Sequence, residues 1–219
     1  MKISAISSKV LAGSIAALMV GGIFATQAGA APKPKVKPVC NLLTDAEGDA
    51  KFLVLPSDPN LDIISGDIAT SDKSLTAVLR LKSFSASDAQ STLGRNYYIL
   101  FNVPGQANPV YLSAEAGTTS VATGFAYSFG TLVGGAVGTY TAAKDTTAIV
   151  GAIDPAAGTI TMTVPLAALA QVATVKKGVK ISGLHAESTQ AFVVLVSTVD
   201  SADGGKSYVA GTPSCVKVA

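Results

Sequence analysis

The chain has 219 residues, 16 Lys and Arg against 14 Asp and Glu, two cysteines, one histidine and no tryptophan. A charge balance this near zero excludes the basic footprint that nucleic-acid binding requires. One cysteine near each end excludes both a CxxC redox site and a cysteine-ligated zinc site.

The first segment, MKISAISSKVLAGSIAALMVGGIFATQAGA, has the build of a secretory signal peptide. Lys2 and Lys9 precede an apolar run from Val10 to Ala25, and Ala28-Gly29-Ala30 supplies the small-residue cleavage box. An uncleaved anchor fits less well, because Gly13, Ser14, Gly21 and Gly22 dilute a run already short for a bilayer. Cleavage after Ala30 leaves 189 residues with 14 basic and 14 acidic side chains and no membrane span, the length of one domain with a sizeable core. Residues 31–39, APKPKVKPV, read as an extended Pro/Lys linker, and from Pro38 onward 11 basic residues face 14 acidic ones. Cys40, preceded by Lys37-Pro38-Val39, lacks the context of a lipoprotein cysteine. Its expected partner is Cys215, giving one disulfide that ties the two terminal strands of an exported domain, residues 40–219.

"DAEGD" follows, with Asp45, Glu47 and Asp49 at alternate positions, and then Asp58, Asn60, Asp62 and Asp67. Calcium takes six to eight hard oxygens, so Asp45, Glu47, Asp49 and Asp62 are the natural candidate set. The spacing is not that of an EF-hand, since Gly48 is fourth from Asp45 and Pro56 stands at the twelfth position. The commoner fate of such carboxylates is to bond their own turn backbone in solvent. "SLTAVLRLK" alternates Leu75, Ala77, Leu79 and Leu81 with Thr76, Val78, Arg80 and Lys82, a half-buried strand. "SASDAQSTLG" reads as a short helix or an irregular loop, whereas "NYYILFNV" has the continuous apolar character of a central strand. Gly134, Gly135 and Gly138 read as strand-edge or bulge positions.

"GTITMTV" alternates again, with Ile160, Met162 and Val164 on one face. In "VPLAALAQVATVKKG", Leu166, Leu169, Ala170 and Ala173 keep helical spacing, Pro165 suits a first helical position and Lys176-Lys177-Gly178 marks the end. "AFVVLVSTV" reads as a second central strand and "DGGKS" as a hairpin turn. Many short strands punctuated by Pro59-Asn60, Pro104-Gly105, Asp154-Pro155 and Gly204-Gly205 indicate an all-β antiparallel sandwich with one short crossover helix.

The run "DAEGDA…DPNLDIISGDIATSDKSLTAVLRLKSF", with the later "YYILFNV", "GAIDPAAGTITMTVPLAAL" and "GVKISGLHAEST", resembles the DOMON-like and family-9 carbohydrate-binding-module-like β-sandwiches of secreted bacterial proteins. The resemblance covers roughly residues 40–215. It implies a non-catalytic recognition or accessory module, for which a cell-surface or extracellular glycan is the expected partner; the alternative is a structural or protein-interaction component of the cell envelope, tethered by the PKPKVKP tail.

Candidate chemistry is sparse. His185 is the sole histidine and no G-x-S-x-G elbow occurs, so nucleophilic catalysis is not expected. "GGKS" is no phosphate loop, because Asp200 stands where a glycine is required. Some DOMON-like domains bind haem through Met and His, and Met162 with His185 is the one pair that remains after signal removal. Sugar rings dock on aromatic faces, which leaves tyrosines. Tyr97, Tyr98 and Tyr111 are the candidates, with Tyr127 nearby; alternation places Tyr97 and Tyr98 on opposite faces, although core packing is the usual role of such residues.

Overall fold

The computed structural model describes residues 37–51, 58–85, 94–116, 124–134, 139–192, 195–216 and 218. The expected signal peptide, most of the expected linker, the segment 86–93, Gly135 and Gly138 lie outside the described residues. In chain order the strands are β1 (Leu43–Thr44), β2 (Ile63–Thr70), β3 (Ser74–Leu81), β4 (Arg95–Asn102), β5 (Val110–Ala116), β6 (Ala126–Val133), β7 (Thr139–Ala142), β8 (Val150–Asp154) and β9 (Thr159–Pro165). A one-turn helix α1 (Leu166–Leu169) leads to β10 (Lys180–Phe192), β11 (Leu195–Ala202) and β12 (Tyr208–Val209).

They form the two layers of an antiparallel β-sandwich. One sheet has the order β1-β2-β3-β9-β8 and the other β11-β10-β4-β5-β6-β7, with β12 paired to β10. Period-two patterning accounts for the layer between them, because alternate residues of each strand turn the same way. Leu75, Ala77 and Leu79 of β3 and Ile160, Met162 and Val164 of β9 are fully buried and meet Tyr97, Ile99 and Phe101 of β4. Each large apolar side chain buried in this way contributes about 1.5–3 kcal/mol. The helix carries the chain from β9, in one sheet, to β10, in the other.

The disulfide joins Cys40 and Cys215, with Cα atoms 5.2 Å apart, within the span a bridge needs. It ties the segments flanking β1 and β12 rather than two terminal strands, and Val39 forms a parallel bridge with Ser214 beside it.

Four expectations change. The helical spacing of residues 166–173 gives only one turn: Pro165 ends β9 with an extended ψ of 136°. Leu169 and Ala173 still reach the core because the Leu169 carbonyl accepts from both Val172 and Ala173, closing the segment as tight turns. "AFVVLVSTV" is not one central strand; Phe192 of β10 pairs with Leu195 of β11, and β11 is a sheet edge with Val196 66% exposed. β3 is buried on both faces rather than one, since Thr76 on its outer side bonds the Thr163 hydroxyl at 3.0 Å. The "DGGKS" stretch is a loop rather than a hairpin turn, because β12 pairs with β10 instead of β11.

Candidate functional site

The outward face of the larger sheet holds a cleft of about 500 Å³ lined by Leu100, Asn102, Leu132, His185, Glu187 and Asp203 among others. Strand register places its polar wall. His185 pairs with Leu100, and Glu187 with Tyr98 and with Ser201 of β11, so these side chains share one face. The β10–β4 register shifts between Ser182 and His185, a bulge that re-aims the side chains beside it. Gly183 sits there at φ +58°, and a Cβ at that position would meet the Asn102 amide at 2.3 Å. Glycine is therefore required for Asn102 to lean toward the cleft.

Beside the cleft lies a second apolar cluster, separate from the core: Tyr98, Leu100 and Tyr111, with Leu132 and Tyr140 packed on them. Tyr140 stacks on Tyr98 with ring centroids 4.1 Å apart and meets Tyr111 edge-on at 5.1 Å. Its hydroxyl donates to Glu187 Oε1. Tyr140 belongs to β7 and Glu187 to β10, with three strands between them, a separation of roughly 19 Å in a flat sheet. The outward face is thus concave, and β7 folds over it. Gly130 permits that path, since a Cβ there would lie 2.0 Å from the Thr141 carbonyl oxygen.

Both imidazole nitrogens of His185 face carboxylates. Nδ1 is 2.7 Å from Asp203 Oδ1, and Nε2 is 3.5 Å from Glu187 Oε2. Glu187 raises the imidazole pKa most, Asp203 adds to it, and both outweigh the opposing effect of burial. Glu187 dominates although it is farther away because Asp203, with its side chain 79% exposed, is screened by water. Burial pushes the Glu187 pKa up, but the His185 and Tyr140 contacts bring it net below the usual range. Burial, reinforced by Glu187, raises the Tyr140 phenol strongly. The two carboxylates favour the protonated, doubly donating form of the His185 imidazole over the neutral one. Because its folded pKa lies above the ordinary 6.5, its stabilising contribution is complete below that pH and is lost as pH climbs through the raised value. A falling melting midpoint above pH 6.5, flattened in His185→Gln, is the expected outcome in thermal scans across that range.

The predicted tyrosines divide. Tyr97 is fully buried in the core, where its hydroxyl donates to the Asn60 carbonyl at 2.8 Å. Tyr98 and Tyr111 take the opposite, concave face but are themselves covered, so neither Tyr97 nor Tyr98 stands open. The half-buried aromatic beside the cleft is Tyr140, which sequence reasoning missed. Its only signal was the polar alternation of Thr139-Tyr140-Thr141, which says nothing about where β7 lies. Met162 is sealed in the core and His185 sits on the outward face of the opposite sheet, so the two cannot flank one haem iron.

The predicted acidic set also divides. Glu47 pairs with Lys82 at 3.2 Å in solvent. Asp45 and Asp49 instead meet Asp200 of β11, and one carboxylate oxygen from each lies within 4.8 Å of the others. Asp200 is 6% exposed, accepts from the Ile63 N–H at 2.6 Å, and is pushed to a pKa of about 6 by burial, with the charges of Asp45 and Asp49 adding. Asp62 is not a solvated turn residue: it has no exposed surface and accepts from the Gly48 N–H at 2.6 Å. Asp58 binds Arg95 at 2.9 Å, and Asp67 binds Arg80 at 2.7 Å. No protein-family model matches the chain, and no curated protein matches it.

Proposed function

We propose that this protein is an exported, non-catalytic recognition module that holds a stretch of glycan in the concave cleft. The observation that carries the reading is the mixed lining of that cleft. Leu100 and Leu132 contribute apolar surface, and Asn102, His185, Glu187 and Asp203 contribute donors and acceptors beside them. A sugar ring has the same division, with an apolar C–H face and hydroxyls at the rim, and Tyr140 supplies an aromatic surface adjacent to Glu187. The disulfide supports an oxidising compartment, and no helix among the described residues is long and apolar enough to cross a membrane. The resemblance to DOMON-like and family-9 carbohydrate modules agrees with this role.

The test is retention of the mature protein on a panel of cell-wall and plant polysaccharides, followed by titration of the retained glycan. Tyr140→Ala is expected to weaken binding about ten-fold, the worth of one aromatic stacking contact. Failure to bind any polysaccharide of the panel would overturn the reading. A second reading, docking to an envelope protein, is favoured by apolar residues exposed on the two edge strands β8 and β11, where Val150 and Val196 are 61% and 66% exposed. Photo-cross-linking from position 196 to one discrete envelope protein, with no glycan retained, would select it.

A further inference from the structure

We propose that the concave cleft selects amino sugars, glycan units bearing a protonated amine, and that Asp203 is the carboxylate that receives the ammonium group. The inference rests on the glycan reading above and narrows it to one class of sugar.

The charge of the lining carries it. Glu187 and Asp203 are anionic, His185 is the one group able to hold a positive charge, and among the described residues neither a lysine nor an arginine lines the cleft. The protonated imidazole that the carboxylates favour offsets only one of them. Asn102, Thr198 and Ser201 add neutral polar groups. The charge of Asp203 also acts on Asp45 in the turn after β1, so a further carboxylate strengthens the same sign of field. A cleft with low-dielectric walls concentrates such an imbalance, attracting cations and repelling anions. The bias is local, since the whole chain has 16 basic residues against 14 acidic ones.

The two carboxylates are not equally available. The Glu187 side chain is largely covered, its Oε1 accepts from the Tyr140 hydroxyl, and its Oε2 faces His185 Nε2 at 3.5 Å. Asp203 commits only Oδ1, to His185 Nδ1 at 2.7 Å, and its side chain is 79% exposed. No hydrogen bond among the described residues engages its Oδ2. An ammonium group brings three donors and a charge to such an oxygen, whereas a hydroxyl or an acetamide brings a neutral donor. A uronic acid would set a third carboxylate against these two, a repulsive element that sharpens selection. Leu100, Pro109 and Leu132 accept the C–H face of either sugar, so charge decides between rings of similar shape.

The experiment titrates the full mature protein calorimetrically with tetrasaccharides of glucosamine, of N-acetylglucosamine and of galacturonic acid. It is run at about pH 6, where an amine holds its proton and carboxylates keep their charge. The glucosamine chain is expected to bind about five-fold tighter than its acetylated counterpart, the worth of one partly screened ion pair, and added salt is expected to shrink the difference. The uronic chain is expected not to bind. Asp203→Asn is expected to bring the two hexosamine affinities together. Asp72→Asn, which removes the same charge from the exposed β2–β3 turn of the other sheet, is expected to leave their ratio as in the wild type. Equal affinities in the wild type, tighter binding of the uronic chain, or a preference that Asp203→Asn retains would each overturn the inference. Retention of another polysaccharide with neither hexosamine chain bound would do the same. In all four cases the glycan reading stands; retention of no glycan removes both.

Discussion

Breaking the Cys40–Cys215 bridge is expected to lower the unfolding free energy by about 5 kcal/mol. The bridge spans 175 residues, and in the chain-entropy description the penalty for freeing the unfolded chain grows with the logarithm of that length. The paired Cys40→Ser and Cys215→Ser variant, compared with the oxidised parent by guanidinium unfolding, measures the loss directly. The midpoint should fall while the β-sheet spectrum in water is retained, because both sheets are held by their own strand pairings and by a continuous core. A variant as stable as its parent would show that the unfolded chain is already compact near its ends.

Asp67→Ala is expected to cost about 3 kcal/mol. The Asp67 carboxylate has no exposed side-chain surface, accepts from the Leu42 N–H at 2.9 Å and holds Arg80 Nη1 at 2.7 Å. Removing it strands the buried Leu42 N–H at a cost of about 1–3 kcal/mol. It also leaves Arg80 without its anion, at the lower end of the penalty for a broken pair because that side chain is 29% exposed. The converse change, Arg80→Ala, should be as damaging or more so, since the charge it leaves behind is the fully buried one. Denaturant unfolding of both single variants and of the double variant isolates the coupling. A double variant no worse than either single one would confirm that the two side chains act as a unit.

Asp67 also shows what the residue order could not disclose. Seven polar positions between 45 and 67 read alike along the chain, yet three of them pair with three different cations: Asp67 with Arg80, Asp58 with Arg95 and Glu47 with Lys82. Those partners are set by which strands become neighbours. The strands themselves were readable, because Leu75, Ala77 and Leu79, and Ile160, Met162 and Val164, alternate as a two-faced sheet demands. The cysteine pairing was readable because each had one available partner. Where two strands met inside one apolar run, in "AFVVLVSTV", with Phe192 of β10 pairing Leu195 of β11, the run passed for one strand. Asp200 was out of reach for the same reason as Tyr140. Asp200 joins Asp45 and Asp49 only after β11 returns to the edge nearest the start of the domain, and Tyr140 covers Tyr98 only because β7 bends across Gly130. Local pattern fixes which way a side chain faces; the path of the sheet decides what it faces.

The same bridge has a mechanical meaning. A pull applied to the two flanks of the domain enters at Cys40 and leaves at Cys215, so it passes through one covalent bond and bypasses every strand between them. In its oxidised form the sandwich carries no share of that tension. A ligand held on the concave face would keep an undistorted seat while the chain around the domain is stretched.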